Sequence, residues 1–289
     1  MSEEEASTDP ILAVEDLWVR FTTHHGIVEA VRGISFQIGR EKVGIVGESG
    51  SGKTMTGRSV LRLTPKTATV TAKRLDFKGR PLLSLSEKQM YEIRGQGISM
   101  IMQDPKYSLN PVVKVGEQIS EAFRVHHKVS KSEGRDRTLN MLEVVRIRNP
   151  LRVYDLYPHE VSGGMGQRIM IAMMLIPEPD LIIADEPTSA LDVTVRMQIL
   201  DILDDLVTQR GLGLMFISHD LNLVAGFCDR VLIMYSGRIV EACAAKNLGD
   251  AKHAYTKGLL DSLPRLEHRR DTLPTLERDP EWLDGPVVL

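Results

Sequence analysis

A chain of 289 residues with 42% hydrophobic content can bury one large core or two small ones. Its formal net charge of −3 gives no electrostatic case for nucleic acid as a main partner. The two cysteines, Cys228 and Cys243, form neither a CxxC pair nor a disulfide framework, and are expected as buried small hydrophobes in a reducing compartment.

The opening MSEEEASTDP is acidic and polar. It lacks the basic-then-apolar order of a signal peptide and reads as a disordered tail over 1–10. ILAVEDLWVRF and GIVEAVRGISFQI follow, punctuated by Gly26 and Gly33, and read as antiparallel strands. KVGIV (42–46) is apolar without alternation, as expected of a strand buried on both faces. It runs into GESGSGKT and then the helical KTMTGRSVLRL. Strand, G-x-x-x-x-G-K-[ST] and helix together make a phosphate loop. Gly47, Glu48, Ser49, Gly50, Ser51 and Gly52 wrap their N–H groups inward, and the helix adds its positive end. Lys53 reaches the outer phosphates and Thr54 holds Mg²⁺.

ISMIMQ closes on Gln103, an amide able to sense Mg²⁺ or water. From about 104 to 165 the chain reads as helices with no strong strand, a helical insertion in an α/β core. VSGGMGQR (161–168) then offers a second anion clamp, Ser162, Gly163 and Gly164 ahead of a helix, far from the only phosphate loop. The longest apolar run, IMIAMMLI, is well short of the roughly 18 residues that span a bilayer, so any membrane role is expected to come through partners. LIIADE (181–186) is a buried strand ending in two carboxylates, where open α/β sheets hold ligands. Successive residues face opposite sides, so Asp185 can approach Mg²⁺ while Glu186 lines up a water against the γ-phosphate. VRMQILDILDDLV has helical spacing. LMFISHD, a further buried strand, ends at His219. A lone histidine there is usually structural, yet a neutral imidazole could also meet the γ-phosphate or the attacking water. VLIMYSGRIVEA reads as a hairpin turned at Ser236–Gly237. Pro264, Pro274, Pro280 and Pro286 mark a loosely ordered extension.

Taken in order, these motifs resemble those of the ATP-binding subunits of ABC transporters over nearly the whole chain. GESGSGKT is similar to the Walker A loop, Gln103 to the Q-loop, VSGGMGQR to the signature and LIIADE to Walker B. SALD (189–192) is similar to the D-loop and His219 to the switch histidine. The resemblance implies a P-loop NTPase core with a mostly parallel sheet and an N-terminal antiparallel β subdomain over 11–103 and 169–245. It implies a helical signature subdomain over 104–168 and a C-terminal extension over 246–289. ATP and Mg²⁺ are the implied cofactors, with Glu186 as base, His219 on the γ-phosphate, Thr54, Gln103 and Asp185 on the metal, and Asp192 in the D-loop. In this family two subunits pack head to tail. Ser162, Gly163 and Gly164 would therefore grip a nucleotide held by the partner's loop. An early aromatic residue stacks on adenine; Phe21 is the expected one, with His24 and His25 near enough to compete.

MQDPKYSLNP, YPHEVSGGM and HAYTKGLL (253–260) are similar to signatures of peptide/nickel-type importers. That implies a second, homologous ATP-binding subunit in a heterodimer, two transmembrane permease subunits, a solute-binding protein, and a peripheral place on the cytoplasmic face of the membrane. Gly166 stands where a larger polar residue is usual, and Ala254 replaces a proline. A cysteine-rich C-terminal segment of many peptide-importing relatives is missing, which favours a shorter branch that includes nickel and metallophore importers. The alternative is a soluble ABC-type ATPase acting on DNA or the ribosome. Such proteins usually carry long coiled coils, zinc-binding cysteines or two cassettes, features this sequence does not show.

Overall fold

The computed structural model describes residues 9–189, 191–263, 279, 282, 285 and 287–289. Nearly all of the expected tail (1–10) and all four prolines of the extension lie outside them. The β-branched and apolar runs near the start fold as β1 (Leu12–Thr23), β2 (Gly26–Ile38) and β3 (Lys42–Val46), followed by α1 (Lys53–Val60), β4 (Ala68–Thr71), β5 (Arg74–Phe77) and β6 (Arg80–Pro81). Next come α2 (Glu87–Ile93), β7 (Ile98–Ile101), α3 (Val115–His126), α4 (Lys131–Val144), α5 (Pro150–Tyr154), α6 (Gly163–Leu175), β8 (Leu181–Asp185) and α7 (Val193–Arg210). The remaining elements are β9 (Gly213–Ser218), α8 (Leu221–Phe227), β10 (Arg230–Tyr235), β11 (Arg238–Ala244) and α9 (Ala254–Asp261).

These elements fall into two compact units, Met1–Leu83 with Met215–Leu289, and Ser84–Leu214. In the first unit an antiparallel sheet runs β2-β1-β5-β6, with β4 also on β1. Leu12, Leu17, Val19 and Ile38 are fully buried on it. Gly26 closes the β1–β2 hairpin opposite Thr23. Gly33, expected to break the segment, instead sits inside β2 at φ 63, where the register slips between Leu17↔Ile34 and Val19↔Val31. It makes a bulge, not a boundary. A second sheet of this unit pairs β10 antiparallel with β11 and parallel with β3. Ser236 (φ 44) and Gly237 (φ 84) form the two-residue turn between Tyr235 and Arg238, as the sequence predicts. α8 covers β3: an added Cβ on Gly44 would lie 2.2 Å from Val224 Cγ1, so only glycine lets this helix approach. Cys228 is buried there, and burial pushes its thiol up to about 12, which leaves it inert. Cys243, by contrast, is only half-buried, because it lies near the end of β11.

In the second unit β7 and β8 pair in parallel. α6 is apolar on every side from Ile169 onward, and Ile169, Met170, Ile171 and Ala172 are fully buried. The longest apolar run is thus a core helix. α7 carries Ile199, Ile202, Leu203 and Leu206 on its inner face and ends at Gly211 in the left-handed region. Among the described residues no helix is long and apolar enough to cross a membrane.

Candidate nucleotide site

The phosphate loop leaves the end of β3 and turns into α1. Its shape depends on close backbone approaches that only glycine permits. A Cβ on Gly47 would lie 2.1 Å from Met234 O, and one on Gly52 would lie 2.4 Å from Ala30 O. Gly52 also has φ 101, which L side chains rarely adopt. The β10–β11 turn ties the loop from behind, Gly237 N–H donating to Ser51 O at 3.0 Å. Gly50, at φ 82, faces open space. Lys53 is 6% exposed and lies back across the loop, donating from Nζ to Gly47 O at 2.7 Å and to Glu48 O at 2.9 Å. Ser51 Oγ is buried without a hydrogen-bond partner. A buried lysine, an orphaned buried hydroxyl, a helix N-terminus and a loop with an open face fit a polyphosphate.

His219 follows β9, which neighbours β3 in the sheet order, one residue beyond the strand rather than at its end. It is exposed. Asp220 N–H donates to Ser218 Oγ at 3.0 Å, and the Asp220 carboxylate accepts from Leu223 N at the start of α8. Phe21 lies half-buried on β1, opposite Val28 and Ala68. His24 and His25 form the exposed turn after it.

In the second unit Ile101 of β7 pairs with Ala184 of β8. The two strands therefore deliver Gln103, two residues past β7, and Asp185 with Glu186 to the same edge. Gln103 is exposed, and Asp185 is 7% exposed. Glu186 lies just beyond the strand at φ 48, in the left-handed region. Ser189 holds that turn, donating from N at 3.3 Å and from Oγ at 3.2 Å to Glu186 O. An L residue stored there costs about 1–2 kcal/mol, and such strain collects at functional positions. Among the described residues no group of three or more His, Cys, Asp or Glu forms a self-sufficient metal cage. A divalent ion at the β7–β8 edge would need oxygen ligands besides Gln103 and Asp185.

The second clamp opens α6. Ser162 is its N-cap, Oγ accepting from Met165 N at a long 3.4 Å. Gly163 is exposed, and a Cβ there would meet nothing within 4 Å. Gly164 is different: its Cβ would lie 3.0 Å from Val195 Cγ1 of α7. Gly163 presents its free side outward, while Gly164 also lets α6 pack against α7. Asp192 caps α7, its carboxylate accepting from Val195 N at 3.0 Å. Gln167, which motif reading passed over, is 2% exposed and donates to Pro187 O at 2.7 Å. It joins the signature helix to the residue after Glu186. A lone amide beside an apolar run was its only sequence signal. The Gly166 Cβ position is in ordinary contact with Pro105, at 3.6 Å, beside a surface cavity of about 280 Å³.

Comparison with known families matches residues 31–189 to the ABC transporter family. The chain is 48% identical over 284 residues to a probable peptide ABC transporter ATP-binding protein of Sinorhizobium fredii, covering 97% of this chain and 85% of that one. It is 46% identical to the dipeptide transport ATP-binding protein DppD of Bacillus subtilis (96% and 84% covered). It is 43% identical to the oligopeptide transport ATP-binding protein OppD of Escherichia coli (94% and 81% covered). Among solved structures, the ATP-binding cassette MJ0796 in a dimeric post-hydrolysis state with ADP and Pi superposes with a TM-score of 0.70 at 25% identity, covering 81% of this chain and 98% of that one. CbiO1 of Clostridium perfringens, part of the ABC transporter complex cbiONQ, superposes with a TM-score of 0.71 at 28% identity, covering 84% and 91%. The chain belongs to the ABC transporter family and has the fold of its ATPases.

Proposed function

We propose that the chain is the ATP-binding and ATP-hydrolysing subunit of an importer for peptides or a related solute such as a nickel or metal chelate. The observation that carries this is the phosphate loop with its buried Lys53 and orphaned Ser51 hydroxyl, in a chain 43–48% identical to ATP-binding proteins of peptide transport. The loop N–H groups, Ser51 and Lys53 bind the phosphates of ATP, and Phe21 stacks on the base. Thr54, Gln103 and Asp185 hold Mg²⁺, which supplies charge neutralisation when bound. The Glu186 carboxylate takes a proton from the attacking water, and the His219 imidazole hydrogen-bonds the γ-phosphate. Ser162, Gly163 and Gly164 bind the γ-phosphate on a second, homologous cassette, most simply in a heterodimer. Asp192 starts the helix behind that interface. Two permease subunits carry the solute and hold the chain at the cytoplasmic face of the membrane, and a solute-binding protein delivers it.

The test is uptake of a labelled peptide by cells expressing the whole transporter, with the parent chain or Lys53→Ala. Peptide uptake that disappears with Lys53→Ala supports the reading. Nickel uptake in place of peptide uptake moves the solute to the metal branch. A chain that pellets with membranes equally well without its permeases contradicts the partner assignment.

A further inference from the structure

The C-terminal segment reaches the phosphate loop through one hydroxyl. Tyr255, at the start of α9, is fully buried, and its OH accepts from Glu48 N at 3.2 Å, across 207 residues of sequence. Glu48 is the second residue of the loop. The helix that carries Tyr255 is fastened on two sides. Glu241 of β11, 3% exposed, accepts from Lys252 N at 2.6 Å and from His253 N at 3.4 Å. The chain end then lies along the β11 edge: Val288 pairs in parallel with Glu241, donating to Val240 O at 2.9 Å and accepting from Ala242 N at 2.8 Å. Trp282 completes the arrangement, its ring centroid 5.9 Å from Tyr255 and 5.7 Å from Tyr235. The described part of the expected loose extension is therefore packed, because it pairs with a sheet edge and stacks aromatic rings.

Phenylalanine would fill the same core space as Tyr255, so the hydroxyl is the informative atom. It spends its acceptor on a loop amide, and so fixes the direction of that amide before any phosphate arrives. A loop held in its binding shape loses less affinity to unproductive conformers. We propose that Tyr255 is a positioning residue for the phosphate loop, held by the C-terminal segment through Trp282, so that this segment sets the loop's affinity for nucleotide. The proposal rests on the reading of the loop as the phosphate site of ATP.

The test uses the full chain, a fluorescent ATP analogue with Mg²⁺, and equilibrium binding. Tyr255→Phe should weaken binding about three- to tenfold, the effect of one lost hydrogen bond expressed in loop order, with an unchanged circular dichroism spectrum. Trp282→Ala should weaken it in the same direction. The double variant should bind no worse than Tyr255→Phe alone, since both act through one contact. Unlabelled ATP should also change the chain's tryptophan emission, and Trp282→Phe should abolish most of that change. Parent-like affinity in Tyr255→Phe, whatever its melting temperature, overturns the proposal, and so do fully additive losses in the double variant. A parent chain that does not bind the analogue removes the phosphate-site reading and this proposal together. A parent that binds, beside a Tyr255→Phe chain that binds equally well, removes only the proposal.

Discussion

Glu186 gives the sharpest separation of activity from stability. Its backbone sits at φ 48 although it precedes Pro187, a neighbour that pushes residues toward extended conformations. Holding an L residue there costs about 1–2 kcal/mol. Glycine would remove that strain but lose about 0.5–1 kcal/mol of unfolded-chain entropy. On the backbone alone, Glu186→Gly should therefore be neutral or up to about 1.5 kcal/mol more stable than the parent. At this size that is a rise of roughly 0–6 °C in melting temperature. Glu186→Gln keeps both the strain and the shape, and should melt with the parent. Both variants should bind MgATP, and both should lose at least about a hundredfold in turnover, the scale of a general base. The assays are thermal melts of the isolated chain and phosphate release by the assembled transporter. A Glu186→Gly chain destabilised by more than about 2 kcal/mol would show that the left-handed backbone is not a stored cost, since that loss is of the size of a core defect. Near-parental turnover of the glutamine variant would remove the base assignment, provided the second cassette has been disabled.

Gly52→Ala places a methyl 2.4 Å from Ala30 O at φ 101, so it should cost at least about 2 kcal/mol in urea unfolding and weaken nucleotide binding. Gly50→Ala, which meets open space, should cost only its backbone strain; equal losses at the two positions would refute the cradle geometry. His126 and His253 are both lowered from 6.5 by burial, opposed at His253 by Glu241 and reinforced at His126 by the neighbouring His127. A lowered histidine favours the neutral folded form, so stability is full above the unfolded value and is lost as pH falls below about 6.5. Melting temperature should drop between pH 7.5 and 5.5, and less so in His253→Asn, which keeps an acceptor for Tyr255 N; a rise on acidification would contradict the sign.

Much of the site was legible because its parts are local. KVGIV, LIIAD and LMFIS are largely apolar without alternation, the mark of strands covered on both faces, and each carries its chemistry at its end or in the next one or two residues. Ser162 was readable as a group ahead of a helix, and it is the N-cap of α6. Contacts that join distant segments were not legible. Gln167 on Pro187 O and Tyr255 on Glu48 N have no period or motif behind them; each exists only because packing brings two stretches together. Gly33 misled because a bulge and a turn use the same left-handed backbone. The packing of Gly164 against Val195 was likewise not legible, because it joins two helices that are distant in sequence. The left-handed backbone of Glu186 runs against its own local preference and could not have been read from sequence.

If the two glycine-rich clamps serve two different nucleotides, the affinities of isolated chains will separate them. Lys53→Ala removes the buried charge on the chain's own loop, while Gly163→Asp adds a carboxylate at the open face of the second clamp without a clash. Binding of MgATP by each purified monomer is measured by titration, beside turnover in the assembled transporter. Lys53→Ala should lose binding, Gly163→Asp should bind within about twofold of the parent, a difference under 0.5 kcal/mol, and turnover at the shared site should fail in both. A folded Gly163→Asp monomer that loses nucleotide as completely as Lys53→Ala would mean that both clamps close on the same ATP.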